Sequence, residues 1–390
     1  MISFENTKIA FAAKTNKDLQ QAYNLFKLVG NPTLVKFGKW STDIALKLHL
    51  PINGLVKKTI FRQFCGGETI EECRGTIKQL GEFGIGTILD YSVEGKTSLA
   101  DFEATTNEII ATIHEGKNNP HIPFSVFKVT GISRFGILEK CNNPENELTL
   151  EEKKEFHGVL TRVERICQAA YEARIPVFID AEETWIQDTI DRLATSMMTK
   201  FNKEEVIVYN TVQMYRHDRL EHIRQAVVEA RQNGYFYGVK LVRGAYMEKE
   251  RERAKEMGYP SPIQKDKAAS DNDYNRALEL LMDAIDICAL VAGSHNEESA
   301  LVLTRLITDK GIDKSDKRVY FAQLLGMSDH ISYNLAHHGF NVAKYVPYGP
   351  VREVMPYLIR RAEENTSVAG QTSRELTLIT KERTRRKSGK

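Results

Sequence analysis

The sequence lacks the marks of several protein classes. Its five cysteines are an odd number without C-x-x-C spacing, which argues against a disulfide framework or a zinc knuckle and favours a reducing compartment. It contains no run of the ~18 uninterrupted apolar residues that a membrane-spanning helix needs. Its N-terminus lacks the basic segment and apolar run of a signal peptide. We therefore expect a location in the cytoplasm or peripheral on the inner face of a membrane.

The sequence also lacks an excess of positive or negative charge, since its formal net charge is only +2. A charge so close to zero argues against nucleic acid as a partner. The last ten residues, 381–390, are the local exception, because Lys and Arg dominate there and Glu382 is the single acid. This segment predicts a solvated, mobile basic tail. Weak attraction of the tail to an anionic membrane surface, as a peripheral contact, is the alternative.

Hydrophobic patterning predicts three regions. Residues 1–79 are mostly of helical pattern and predict an N-terminal helical arm. Residues 80–380 contain eight short apolar runs, each followed by an amphipathic helical pattern, and residues 381–390 form the tail. Runs that are apolar on both faces are typical of strands in a parallel sheet. The eight runs contain or end near Asp90, Lys128, Asp180, Gln213, Lys240, His295, Gln323 and Tyr345.

Eight strand and helix units in succession favour an α/β fold of the (β/α)8, or TIM barrel, type. A doubly wound sheet is the alternative, although no glycine-rich dinucleotide fingerprint follows the first strand. In such barrels the active site lies at the C-terminal ends of the strands, where this sequence repeatedly places polar side chains.

Two lysines in the apolar runs are candidates for chemistry. Lys128 and Lys240 could each pair with a carboxylate such as Asp90 or Asp180, bind an anionic substrate, or form a Schiff base as in aldolases. Structural pairing is the commonest fate of a lysine so placed. His295 could transfer protons or hydrogen-bond in a pocket, and its spacing from other histidines predicts no metal site.

Two adjacent arginines in the last helical segment of the barrel region are a further candidate. Arg360 and Arg361 could converge on one anion, because guanidinium groups bind carboxylates in a fork geometry. Pairing of both with Glu364, at i+4 and i+3, is the structural alternative.

Two long motifs resemble the signature of the proline dehydrogenase family: KLVRGAY, from Lys240 to Tyr246, and YLIRRAEEN, from Tyr357 to Asn365. Shorter matches occur between them and before them, so that the resemblance extends from Leu89 to Asn365. The shorter matches are LDYSVEG, FKVTG around Lys128, DAEE from Asp180, Gln213, GSHN from Gly293 and QLLGM from Gln323. Lys240 before Arg243 is similar to the monofunctional, mitochondrial-type branch of that family.

The resemblance implies an oxidoreductase with a distorted (β/α)8 barrel, non-covalently bound FAD and a final helix that caps the barrel mouth. It implies oxidation of L-proline to 1-pyrroline-5-carboxylate by hydride transfer to the flavin N5, with a quinone as electron acceptor, as the first step of proline catabolism. Asp180 and Lys240 would be catalytic. The substrate would contact Lys128, Tyr246, Leu324, Tyr345, Tyr357, Arg360 and Arg361.

The same resemblance implies a set of flavin contacts and a gate. Glu94 would pair with Arg360 to close the mouth over bound substrate. Ser294 departs from the family in standing where Thr is common, which retains the hydroxyl. The flavin would contact Ala181, Gln213, Lys240, Arg243, Gly244, Ala245, Ser294 and His295.

Three other functions are kept as alternatives. A hydroxyproline dehydrogenase of the same family is disfavoured by Tyr345, because family members that prefer hydroxyproline carry a smaller residue there. A Schiff-base aldolase barrel would use Lys128 or Lys240 and no flavin. A non-enzymatic binding protein would be recruited through its basic tail.

Overall fold

The computed structural model describes residues 2–31, 33, 53–93, 95, 97–367 and 371–389. Eight parallel strands follow one another around a closed barrel in chain order, β1 to β8. The prediction of an α/β barrel is therefore confirmed, and the doubly wound sheet is excluded. The strands are β1 (Ile85–Tyr91), β2 (Phe124–Phe127), β3 (Val177–Ile179), β4 (Val208–Gln213), β5 (Tyr237–Val242), β6 (Cys288–Gly293), β7 (Val319–Leu324) and β8 (Val342–Tyr348).

The chain divides into two compact units, of which one is residues 95–322. This unit contains β2 to β6 and most of β7, whose side chains are almost all buried, as expected of strands covered on both faces. A 3-10 turn over Val129–Gly131 follows β2 directly. The helices of the unit formed by residues 95–322 are α6 (Leu99–Lys117), α7 (Phe135–Asn142), α8 (Leu150–Ala173), α9 (Thr184–Phe201), α10 (Arg219–Asn233), α11 (Met247–Met257), α12 (Lys267–Asp283) and α13 (Glu297–Asp309).

The other unit joins the two ends of the chain, residues 1–94 and 323–390. Strands β1 and β8 pair in it from Ile85 opposite Val342 to Tyr91 opposite Tyr348. A π-helical turn over Lys57–Phe61 separates two of the arm's short helices. The helices of this unit are α1 (Thr7–Ala10), α2 (Asn16–Val29), α3 (Asn53–Val56), α4 (Arg62–Phe64), α5 (Ile70–Gly81), α14 (Asp329–His337), α15 (Met355–Ser367) and α16 (Gln371–Lys387).

Local sequence signals set several helix boundaries. The predicted capping box of α8 is present, since the Thr149 side chain accepts from the Glu152 backbone and the Glu152 side chain accepts from the Thr149 backbone. Helix α15 begins at Met355 and carries Pro356 in its first turn, where the missing N–H costs nothing. Among the described helices, none is long and apolar enough to cross a membrane.

Most of the predicted basic tail is helical and has contacts with the arm. Residues 381–387 belong to helix α16, and Glu382 accepts hydrogen bonds from both Arg385 (2.8 Å) and Arg386 (2.7 Å). Arg386 also donates to the backbone oxygens of Phe11 (2.9 Å) and Lys14 (2.8 Å) in the arm. These contacts order the segment because its cations have specific acceptors within their own unit.

Candidate active site

An ion cluster of one carboxylate and two lysines joins residues at the ends of β2 and β3 to a residue of β5, with β4 between β3 and β5 in the barrel. Lys128 follows β2 directly rather than lying inside it, and Asp180 follows β3. The Asp180 backbone donates to the Phe127 oxygen at 2.9 Å, which fixes the two strand ends relative to each other. The Lys128 Nζ lies 3.5 Å from Asp180 Oδ2, and Lys240 on β5 donates to Asp180 Oδ1. Of the two structural partners considered for these lysines, Asp180 is the one in contact.

The two lysines of the cluster differ in exposure. The Lys240 side chain is only 4% exposed and lies over the Phe178 ring at 5.2 Å, whereas the Lys128 side chain is 22% exposed. A buried lysine requires a counter-charge, and Asp180 supplies it. Lys128 remains accessible enough to meet an anionic ligand.

Glu182 is a buried acid beside this cluster to which sequence reasoning gave no role. Its carboxylate accepts from the Thr130 backbone N–H at 3.1 Å and from the Thr130 hydroxyl, so it holds the turn that follows Lys128. Burial raises the pKa of Glu182 to about 7, against the lowering effect of the bonds from Thr130. The DAEE match contained this residue, but only the fold reveals which of its acids is enclosed.

Gln213, a predicted flavin contact, is the last residue of β4 and takes part in the same network. Its side-chain nitrogen donates to the Glu182 backbone oxygen at 2.7 Å. The Glu182 backbone N–H donates in turn to the Gln187 side chain at 2.8 Å. The ends of β3 and β4 are thus joined through polar side chains that have fixed orientations.

The segment from Arg243 to Tyr246 follows β5, and hydrogen bonds fix the side chain of its first residue, Arg243. Arg243 donates to Asp271 (2.6 Å), Ser294 (2.6 Å) and Ser299 (2.9 Å), so all three guanidinium nitrogens are directed. Its guanidinium also lies 4.4 Å from the centre of the Tyr274 ring. The segment therefore presents a rigid cationic group at the strand end.

Gly244 is required by the backbone at this position. Its φ is +130°, which L side chains rarely adopt, and an added Cβ would lie 2.5 Å from the Tyr215 ring. Gly244 and Ala245 are both exposed, so their backbone groups are accessible to a ligand.

The residues at these strand ends fit a flavin. The cationic groups of Lys240 and Arg243, the hydroxyl of Ser294 and the exposed backbone after Arg243 form a donor-rich set suited to an electron-rich ring and an anionic chain. Ala181 follows Asp180, and His295 follows Ser294 at the exit of β6, both partly exposed. These assignments remain predictions, because no ligand contact defines them.

A second group of predicted substrate residues lies in the unit formed by the chain ends. Leu324 is the last residue of β7, and the next residue, Leu325, donates its backbone N–H to the Tyr345 oxygen at 2.8 Å. Tyr357 on α15 is 6% exposed, and the Arg361 guanidinium lies 5.2 Å from the centre of its ring. Tyr345 and Arg361 are likewise buried.

The structure describes some of the remaining predicted site residues and leaves others outside the described residues. Arg360 is half-buried on α15, and Tyr246 is half-buried immediately before α11. Glu94, the predicted gate residue, lies outside the described residues, as does the side chain of Glu364. Lys128 belongs to one unit and Arg361 to the other, so their grouping around one carboxylate remains a prediction.

Sequence reasoning also missed Glu250, a buried acid on α11. Its carboxylate accepts from the Thr184 backbone N–H and from the Thr184 hydroxyl, each at 2.7 Å, and so caps the start of α9. Burial raises the pKa of Glu250. The neighbouring Lys249 pairs with Glu183, so that two successive residues of α11 hold the segment after β3.

Barrel topology and the lysine–aspartate–lysine cluster define the class as an α/β barrel with an ion cluster near the strand ends. Comparison with known proteins narrows the class. The family model described as proline dehydrogenase matches residues 73–374. The chain is 34% identical over 384 residues to "Proline dehydrogenase 1, mitochondrial" of Dictyostelium discoideum, an alignment that covers 87% of this chain and 67% of that protein.

Two further comparisons address relatives and fold. The chain is 31% identical to "Hydroxyproline dehydrogenase" of Xenopus laevis, over 96% of this chain and 88% of that protein. The crystal structure of proline utilization A from Bdellovibrio bacteriovorus matches with a TM-score of 0.73 at 19% identity, over 93% of this chain and 38% of that one. This chain thus corresponds to under half of that larger protein, and the likeness shows the barrel fold.

This chain belongs to the proline dehydrogenase family. The resemblance drawn from KLVRGAY and YLIRRAEEN is therefore confirmed, as is the expectation of an oxidoreductase of that family. Membership of this family favours an oxidoreductase over the Schiff-base aldolase that would use Lys128 or Lys240.

Proposed function

We propose that this chain is an FAD-dependent enzyme that oxidises L-proline to 1-pyrroline-5-carboxylate and passes the electrons to a quinone, as the first step of proline catabolism. The observation that carries the proposal is the Lys128–Asp180–Lys240 cluster near the ends of β2, β3 and β5 in a chain of this family. When bound, the flavin supplies the two-electron acceptor.

The cluster's charge is suited to an amino-acid carboxylate. Asp180 contacts both lysines, and Lys128 is the more exposed of the two. A carboxylate in this position gains a charge-assisted hydrogen bond and fixes one end of the substrate. In the proposal, Arg360 and Arg361 also contribute cations to carboxylate binding, as the family motif implies.

Tyr345, Tyr357 and Leu324 are proposed as walls for the pyrrolidine ring. All three are buried or half-buried, and aromatic walls limit the positions that a small saturated ring can take. Restricted motion keeps the C5–H bond directed at the acceptor. Exclusion of water by the same walls also protects the imine product while it is bound.

The substrate amine must lose a proton before or during departure of the hydride. The reductive half-reaction should therefore accelerate as pH rises through the pKa of the bound amine. Rapid-mixing measurements from pH 6 to pH 9 test this, and a flat profile contradicts the proposed order of events.

Oxidation of hydroxyproline is the second candidate, favoured by the relative from Xenopus laevis that bears that name. Tyr345 argues for proline, because family members that prefer hydroxyproline carry a smaller residue at this position and a buried tyrosine ring would leave little space for an added hydroxyl. Turnover of L-proline and trans-4-hydroxy-L-proline by one preparation distinguishes the two. A higher kcat/KM for hydroxyproline overturns the assignment of Tyr345.

A visible absorption spectrum tests the proposal most directly. Purified protein supplied with FAD should show flavin absorption, and anaerobic L-proline should bleach it, whereas D-proline should not. Reoxidation by a short-chain ubiquinone then tests the acceptor. Absence of bound flavin, or a spectrum unchanged by L-proline, contradicts the proposal. Covalent trapping of a carbonyl substrate on the protein by borohydride would instead support a Schiff-base aldolase.

A further inference from the structure

The turn that leaves β7 has an unusual backbone. It runs from Leu324 to Ser328, and two of its residues, Gly326 (φ +75°) and Ser328 (φ +50°), are left-handed. A non-glycine residue in that region costs roughly 1 kcal/mol and persists only where surrounding contacts impose it. Leu324, a proposed wall of the substrate ring, is the first residue of this turn.

The N-terminal arm supports the turn from one direction. The Gln63 side chain on α4 donates to the Gly326 oxygen at 2.8 Å. The Gln63 backbone oxygen lies 2.1 Å from the position that a Cβ on Gly326 would occupy. The arm and the turn are therefore in contact along their backbones, which leaves no room for displacement of the turn toward the arm.

The C-terminal helix supports it from another direction. Glu375 on α16, itself 3% exposed, accepts the Ser328 backbone N–H at 2.6 Å. This bond fixes the residue whose φ is unfavourable. A buried backbone N–H that loses its acceptor costs about 1–3 kcal/mol, so the turn has a strong reason to remain where Glu375 holds it.

A buried lysine on β8 completes the support. Lys344 donates to the Met327 oxygen at 2.7 Å, to the Leu324 oxygen at 3.3 Å and to Asp329 at 2.8 Å. Lys14 of the arm pairs with the other oxygen of Asp329 at 3.2 Å. The arm and β8 are thus connected to the turn through charged groups of one unit.

Apolar packing joins the same elements. Leu324 packs against an apolar cluster that includes Phe64 of α4, Tyr357 of α15 and Leu378 of α16. Leu378 lies one turn after Glu375, so the face of α16 that binds the turn also contributes to this cluster. The position of Leu324 therefore depends on both the polar and the apolar contacts of α16.

We propose that Glu375 is a positioning residue that holds Leu324 against the substrate ring and thereby sets discrimination between L-proline and ring-substituted analogues. The inference rests on the proposed function. Glu375 does not touch the substrate; it acts through the Ser328 N–H. Loss of that acceptor frees the turn, enlarges the pocket at Leu324 and admits a ring that carries a hydroxyl.

The test uses the ratio of kcat/KM for L-proline to that for trans-4-hydroxy-L-proline in the flavin-loaded full chain. This ratio does not depend on the fraction of folded enzyme, so a purely structural role leaves it unchanged. Glu375→Leu should lower the ratio by roughly tenfold, the range associated with one small group in an apolar pocket. Glu375→Gln keeps an acceptor oxygen and should restore the wild-type ratio.

Glu382→Leu is the matched control. Glu382 is a buried acid on the same helix, two turns further on, and its carboxylate pairs with Arg385 and Arg386. It should lower stability and leave the ratio unchanged. An unchanged ratio in Glu375→Leu, or equal decreases in both variants, overturns the inference.

A second variant tests the proposed positioning of Leu324 if Glu375→Leu does not fold. Gln63→Leu removes the bond to Gly326 from the arm and should lower the ratio in the same direction. A wild-type ratio in Gln63→Leu then overturns the inference. A wild-type chain that oxidises neither imino acid contradicts the proposed function, whereas normal proline oxidation with unchanged ratios contradicts the positioning role alone.

Discussion

Glu182 should make the folded protein less stable as the pH rises, which is opposite to the effect of most carboxylates. Replacement of Glu182 by Gln should remove this pH dependence. Glu182 is 3% exposed and its pKa is raised by burial from 4.5 to about 7. The acid is therefore easier to ionise in the unfolded chain than in the folded one. Its contribution to stability is complete below about pH 4.5 and is lost as the pH rises through about 7.

The magnitude follows from the two pKa values. The difference between the folded and unfolded pKa values corresponds to about 3 kcal/mol, because one pKa unit is worth about 1.4 kcal/mol. Most of this, about 2–3 kcal/mol, should develop between pH 5 and pH 8. Glutamine can accept from the Thr130 N–H and donate to the Thr130 hydroxyl, so the variant keeps both contacts without a charge to desolvate.

The assay is urea unfolding of wild type and Glu182→Gln at several pH values from 5 to 8. The variant should gain about 2–3 kcal/mol relative to wild type across this range, since only the wild type must bury a charge at high pH. Glu229→Gln, at an exposed position on α10, provides the baseline. A difference between variant and wild type that stays constant within about 0.5 kcal/mol would refute the reasoning.

Two further changes have defined outcomes. Asp180→Asn should lower the free energy of unfolding by about 3–5 kcal/mol in the same urea assay, because Lys240 is buried against that carboxylate; a loss below about 1 kcal/mol contradicts the pairing. Deletion of residues 381–390 should lower the melting temperature by several degrees, because charge-assisted bonds of Arg386 to the arm are worth about 1.5–3 kcal/mol each. An unchanged melting temperature in scanning fluorimetry would mean that these contacts contribute nothing.

The barrel was predictable because its strands are recognisable one at a time. A short run such as Val177–Ile179 is apolar on both faces, and the recurrence of such runs with amphipathic helices leaves few other folds. The rule that barrel sites lie at strand ends then selected Asp180 and Arg243 correctly as residues of the polar strand-end network. It did not specify that Lys128 stands just beyond its strand.

The site's supporting contacts were not predictable, because they depend on distances between segments far apart in the chain. Glu182 and Glu183 are adjacent in the sequence and chemically identical, yet one holds Thr130 and the other pairs with Lys249. Only the direction of each side chain after β3 separates their roles. Family resemblance transfers the motif as a unit and assigns no such difference.

The C-terminal segment shows what kind of local signal distinguishes an ordered basic helix from a mobile tail. Its composition is that of a tail, but its single acid, Glu382, lies three and four residues before Arg385 and Arg386. That spacing places an acceptor on the same helical face as two donors. Burial of Glu382 then makes the arginines necessary, because an enclosed carboxylate requires compensating charge. A basic run with one acid at this spacing therefore favours a docked helix over a solvated tail, and the arm supplies the surface against which it docks.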